Sequence, residues 1–192
     1  FWTVRIKKAI VPELGFGTMP KPLQRPHPPI HISIGSPDSA SARMAASRGW
    51  GIISGPAAPA YSIASHWTAY SETRRAAGKP ANSGDWRGSR SILVAQSNAE
   101  AEDRAYSERA ANRYYFTYMH TALTLAKRLI TIKPRPDMAD HECTPDAVMN
   151  ECLIHGSPRT VLDKLVAFRE RVGPFGTLLQ IGVDWGGQNG AC

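Results

Sequence analysis

The chain has 192 residues, 42% of them hydrophobic, which is enough for one domain with its own core and excludes a disordered or fibrous class. Its 23 Lys and Arg outnumber its 16 Asp and Glu, giving a net charge of +7 and a pI near 9.6, a balance that raises the question of a polyanionic partner. The cations are dispersed, and the densest groups, Arg5-Ile-Lys-Lys8, Arg74-Arg75, Lys127-Arg128 and Arg169-Glu-Arg171, form no basic patch, so no specific nucleic-acid partner is expected.

The opening Phe1-Trp-Thr-Val-Arg-Ile6 lacks the basic start, long apolar stretch and cleavage site of a signal peptide, and reads as a truncation rather than an exported leader. A proline-rich stretch, residues 20–29, cannot be helical and must run extended into the first expected strand, Ile30–Ile34. That strand ends at Gly35-Ser-Pro-Asp-Ser39, and a helix with a small alanine face is expected from Ser39 to Arg48. A second strand, Gly51–Ser54, closes at Gly55-Pro56 and precedes a helix over Ala60–Ala77 stopped by Gly78.

The third expected strand is Arg90–Ala95, followed by a long helical region from Ala99 to Leu129 with room for one break. Pro134, Pro136 and Pro145 mark an irregular connection. Ser157 as N-cap with Pro158 at the first helical position starts a helix through Val161, Leu162, Leu165, Val166 and Phe168, and Thr177–Ile181 is the last strand. Strands alternating with helices imply βα units and a parallel sheet. Four such units are half of an eight-unit barrel or a small doubly wound sheet, and spacing does not choose between them.

The longest apolar runs, such as Ser91–Ala95, fall far below the ~20 residues of a membrane helix, so no membrane partner is expected. Cys143, Cys152 and Cys192 are odd in number and have no Cys-x-x-Cys spacing, which fits a reduced, cytoplasmic setting. His141, Cys143, Cys152 and His155 offer two Cys and two His, yet their irregular spacing argues against zinc, and no metal site is expected. His66 and His120 fall in expected helices, where packing roles are commoner than catalysis, and Tyr114, Tyr115, Phe116 and Tyr118 read as core.

The segments Lys21-Pro-Leu-Gln-Arg-Pro-His-Pro-Pro-Ile30, Gly35-Ser-Pro37, His155-Gly-Ser-Pro-Arg-Thr-Val-Leu-Asp-Lys-Leu165 and Val172-Gly-Pro-Phe-Gly-Thr-Leu-Leu179, in that order, resemble the luciferase-like flavin-dependent monooxygenases, in the branch of limonene and alkanal monooxygenase-like enzymes. The resemblance runs from Phe1 to about Trp185. It implies the C-terminal half, strands five to eight, of a (β/α)8 barrel. It also implies a cytoplasmic enzyme that uses reduced FMN and O2 to oxygenate a small organic substrate, with a flavin reductase as a partner and a homo-oligomeric full-length form. An F420-dependent oxidoreductase is the alternative enzyme, and a non-catalytic fragment the alternative from outside enzymes. The tail departs from the family pattern, with Val183 where a His is usual.

Gly35-Ser-Pro-Asp-Ser39 lies between strand and helix, where free N–H groups and the helix dipole favour an anion. Ser36, Asp38 or Ser39 could equally serve only to cap the helix. The resemblance implies that Gly35, Ser36 and Ser39 hold the FMN phosphate, and that Ser54 and Gly55, on the same rim, lie beside the flavin ring. Gly55 as a simple turn glycine is the competing reading. His155-Gly-Ser-Pro158 is explained by helix capping alone. The resemblance places the catalytic residues on the first four strands, so none is assigned in this chain.

Overall fold

The computed structural model describes Val11, Glu13 and residues 22–182. The chain divides into two compact units, Phe1–Ile30 and His31–Cys192. In the first, residues 22–30 show bends and irregular backbone, with neither helix nor strand. The start of the proline-rich stretch and the altered tail lie outside the described residues.

The second unit is an α/β fold on a five-stranded, wholly parallel sheet. Its elements run β1 (His31–Ile34), α1 (Ala40–Arg48), β2 (Gly51–Ser54), α2 (Ala60–Ala76), β3 (Trp86–Val94), α3 (Asn98–Tyr106), α4 (Ala111–Leu125), α5 (Pro145–Cys152), β4 (Leu153–Gly156), α6 (Pro158–Val172) and β5 (Thr177–Ile181). The helices begin where capping chemistry dictates. Ser39, Ser97, Thr144 and Ser157 accept N–H bonds in the first turns of α1, α3, α5 and α6, and Pro145 and Pro158 open α5 and α6. Helix α1 ends at Gly49, whose φ of 73° is the left-handed conformation that lets its N–H return to Ala45 and Ala46.

β1 pairs with β2 and β2 with the start of β3, flush in register: Ile34 lies opposite Ser54, and Ser54 opposite Gly88. Gly88 also faces Leu178, and Ser91 faces both Leu153 and Ile181. A strand has two edges, so β2 and β4 follow one another along one edge of β3 while β5 takes the other. The continuous ribbon is therefore β1, β2, β3, β5, with β4 a short addition beside the upper half of β3.

Alternation assigns each face. Ile32, Ile34, Ile52, Trp86, Ile92, Ile154 and Leu178 meet the alanine face of α1, Ile63, Ala69 and Tyr70 of α2, and Val161, Phe168 and Val172 of α6. A second core gathers Leu93, Leu153, Ala101, Ala105, Phe116, Val148, Met149 and Cys152 around α3, α4 and α5.

Four expectations need correction. The sheet contains β4, where no strand was read. β3 starts at Trp86 rather than Arg90, while the long helical region has the one break it had room for, between α3 and α4, and a 3₁₀ turn at Leu129–Thr131 follows. The stretch ending at Cys152 is not wholly irregular, because Pro145 sits at a helix start where a missing N–H costs nothing. Of the four aromatics read as core, Phe116 is buried, but Tyr114 and Tyr118 are 76% and 59% exposed, since α4 turns only the Asn112–Phe116 face inward.

Candidate functional site

The flush register of β1 and β2 makes both strands end at one level, so Gly35-Ser-Pro-Asp-Ser39 and Gly55 emerge side by side, and the Gly55 N–H donates to the Ile34 carbonyl at 3.2 Å. All five residues singled out from sequence, Gly35, Ser36, Ser39, Ser54 and Gly55, come together at the carboxyl ends of β1 and β2. That rim is where ligands of parallel α/β folds bind.

Each has its own setting. Gly35 is exposed, and a Cβ built on it would meet nothing within 4 Å. Ser39 caps α1, accepting the Ser41 N–H at 3.2 Å, while its own hydroxyl hydrogen stays free to donate. The Ser36 hydroxyl accepts from the Arg128 guanidinium at 3.1 Å and likewise keeps its hydrogen. The Ala40 N–H, at the first helical position, has no acceptor within its helix. Gly55 needs neither a positive φ nor space, because a Cβ there would lie 3.8 Å from the Ile34 carbonyl, an ordinary contact.

Ser54 is fully buried, and its hydroxyl is the centre of a chain of hydrogen bonds. Trp86 Nε1–H donates to Ser54 Oγ at 2.9 Å, and Ser54 Oγ lies 3.0 Å from His66 Nδ1. His66 Nε2 lies 2.9 Å from the Ser36 carbonyl, which can only accept, so the proton sits on Nε2 and Ser54 donates to Nδ1. Burial pushes His66 down from 6.5 to about 4, against a smaller opposing pull from the Ser36 carbonyl and Asp38, so the ring is neutral at pH 7. The chain Trp86–Ser54–His66 therefore ties the loop at Ser36 to the core.

The loop is fixed from outside as well. The Asp38 N–H donates to Ser65 Oγ at 3.0 Å, and Arg43 Nη1 donates to the Asp38 carbonyl at 2.9 Å; Asp38 itself has a φ of 47°. His66 and Arg128 were not singled out from sequence as loop contacts. Arg128 lies 92 residues from Ser36 in the chain, and no local pattern joins such a pair.

The two serine hydroxyls, the Ala40 N–H and the Arg128 guanidinium form a donor set suited to a phosphate. The exposed Asp38 carboxylate is the one opposing charge. Elsewhere, His155 Nε2 bonds Glu102 at 2.8 Å and His120 bonds the Cys143 carbonyl at 2.5 Å. Among the described residues no three His, Cys, Asp or Glu side chains gather in a way that could hold a metal ion, and no helix is long and apolar enough to cross a membrane.

A parallel α/β sheet with an oxyanion-suited loop at its carboxyl rim defines the broad class. The family model for luciferase-like monooxygenases matches residues 12–174, and the chain belongs to that family. Among solved structures, the oxygenating constituent of 3,6-diketocamphane monooxygenase from Pseudomonas putida, in complex with FMN, superimposes with a TM-score of 0.70 at 22% identity over 83% of this chain and 43% of its own. Monooxygenase RslO1 from Streptomyces bottropensis gives 0.56 at 22% identity over 88% and 45%. A coenzyme F420-dependent tetrahydromethanopterin reductase from Methanopyrus kandleri reaches only 0.49 at 12% identity over 80% and 44%, too distant to argue from. The chain thus spans less than half the length of these structures. No curated protein sequence matches it.

Proposed function

We propose that this chain forms strands five to eight of a (β/α)8 flavin-dependent monooxygenase, and that Gly35, Ser36 and Ser39 hold the phosphate of FMN. The observation that carries the reading is the donor set on the one loop at the end of β1: two hydroxyls with free hydrogens, an unpaired helix N–H and the Arg128 guanidinium bonded to Ser36. Bound reduced flavin supplies the activation of O2 for oxygen transfer to a small organic substrate.

The residues of this chain bind and orient. Ser36, Ser39, Ala40 N–H and Arg128 meet the phosphate, and neutral His66 holds the Ser36 carbonyl so that the loop keeps its shape. Ser54 acts through His66, and the lack of a side chain at Gly35 and Gly55 leaves the rim open toward the ring. A flavin reductase partner and a homo-oligomeric full-length form belong to the same proposal.

The test compares FMN with riboflavin, which has the ring but no phosphate. Ser36→Ala with Ser39→Ala removes two donors to a charged group, each worth roughly 1.5–3 kcal/mol when desolvated, so FMN binding weakens at least tenfold while riboflavin binding is unchanged. Equal losses for both ligands would reduce the serines to helix caps. The absorbance spectrum of the purified protein's bound chromophore separates FMN from a deazaflavin.

A further inference from the structure

A cavity of about 430 Å³ opens beside β4, between α3, α5 and α6, and none of the residues lining it belongs to the Gly35–Ser39 loop. Its wall includes Arg90, Lys164, Arg171, Glu102, Glu151 and His155. Glu151 accepts from the Ala60 N–H and Arg171 on one oxygen, each at 3.0 Å, and its charge also favours the nearby Arg90 cation, while Glu102 bonds His155 at 2.8 Å, so three cationic heads share two carboxylates. Arg90 and Lys164 have no carboxylate partner among the described residues.

Arg90 is the decisive group. It projects from β3 and is 1% exposed, with its guanidinium carbon 4.1 Å from the Phe168 ring centroid. Nη1 donates to the carbonyls of Ala58 at 2.9 Å and of Pro56 and Ser89 at 3.3 Å, whereas Nη2 is buried without any partner. A buried cation with an unused donor is costly to keep and is retained where something pairs with it. Lys164 Nζ stands in the same wall, bonded at 2.8 Å to the His155 carbonyl with two further donors free. Leu153, Ile154, Tyr106 and Ala167 supply apolar surface between these heads.

We infer that this cavity is a second ligand site, separate from the flavin loop, that takes a small organic anion: its oxyanion head pairs with Arg90 and Lys164, and its apolar body lies against Leu153, Ile154 and Tyr106. A carboxylate and a phosphate monoester share that head chemistry.

The experiment titrates the purified protein by calorimetry with benzoate, phenyl phosphate and benzyl alcohol. Saturable binding of at least one anion with no binding of the neutral alcohol is expected, and the stronger of the two anions identifies the head. Lys164→Met, an exposed change that leaves the core alone, should weaken that binding tenfold or more. Ser36→Ala should leave the Lys164-dependent binding intact, which separates this site from the FMN loop. Arg90→Met tests the buried partner directly, with retained circular dichroism as its folding control. Absence of saturable binding by either anion, or binding indifferent to Lys164→Met, overturns the proposal.

Discussion

At the scale of single residues, His66 shows how far a sequence carries. Its place in a helix suggested a packing role, and it does pack, but its neutral ring also connects β2, β3 and the loop after β1. This has a measurable pH signature. An unfolded His66 titrates near 6.5 and the folded one near 4, so between those values the unfolded chain holds more protons. The contribution is complete above pH 6.5 and is lost as pH falls toward 4, by about 3 kcal/mol if the whole shift is expressed. Burial lowers His31 as well, so the wild-type slope contains both groups. His66→Gln keeps an acceptor and a donor without a proton to gain, and urea unfolding midpoints of the variant should fall less steeply with acid than those of wild type. Parallel curves would show that His66 does not titrate in this range. Ser54 was placed on the rim from sequence, and the structure puts its backbone there. That its hydroxyl points into the core could not be read, because Trp86 lies 32 residues away.

At the scale of elements, punctuation by Gly, Pro and capping Ser was legible, and short or polar strands were not. β4 has only two apolar residues among its four, too few for a periodicity to register. The first half of β3, Trp86-Arg-Gly-Ser-Arg90, looks like a loop by composition, yet its arginine at position 90 is buried by tertiary pairing that no window contains. The joint between β4 and α6 depends on Gly156, with a φ of 147° and a built Cβ only 2.8 Å from Thr160 Cγ2 and 2.9 Å from Asn98 Oδ1. Gly156→Ala should therefore cost about 2 kcal/mol or more in a denaturant titration. Gly35→Ala, where the new methyl meets nothing, should stay within about 0.5 kcal/mol. Similar losses at both would mean that the β4–α6 joint relaxes around a side chain.

At the scale of the whole molecule, βα alternation and a parallel sheet followed from the order of apolar runs, but closure did not, since spacing is the same in an open sheet and in half a barrel. The structure adds a physical reason to favour a partner for this sheet. One face meets α1, α2 and α6; the other meets α3, α4 and α5 through Leu93 and Leu153 and elsewhere carries His31, Ser33, Ile53, Arg87, Ser89, Ser91, Thr177 and Leu179, where His31 Nε2, Arg87 Nε and Ser91 Oγ are buried without a hydrogen-bond partner. Orphaned polar atoms on a sheet face are costly unless another group completes them. Among the described residues β1 and β5 each also have one unpaired edge, and open parallel edges recruit other strands. The purified 192-residue chain is accordingly expected to self-associate, with a light-scattering mass well above 21.0 kDa. A monodisperse monomer with a single cooperative unfolding transition would show that the sheet satisfies its own edges, and the half-barrel reading would then have to be given up.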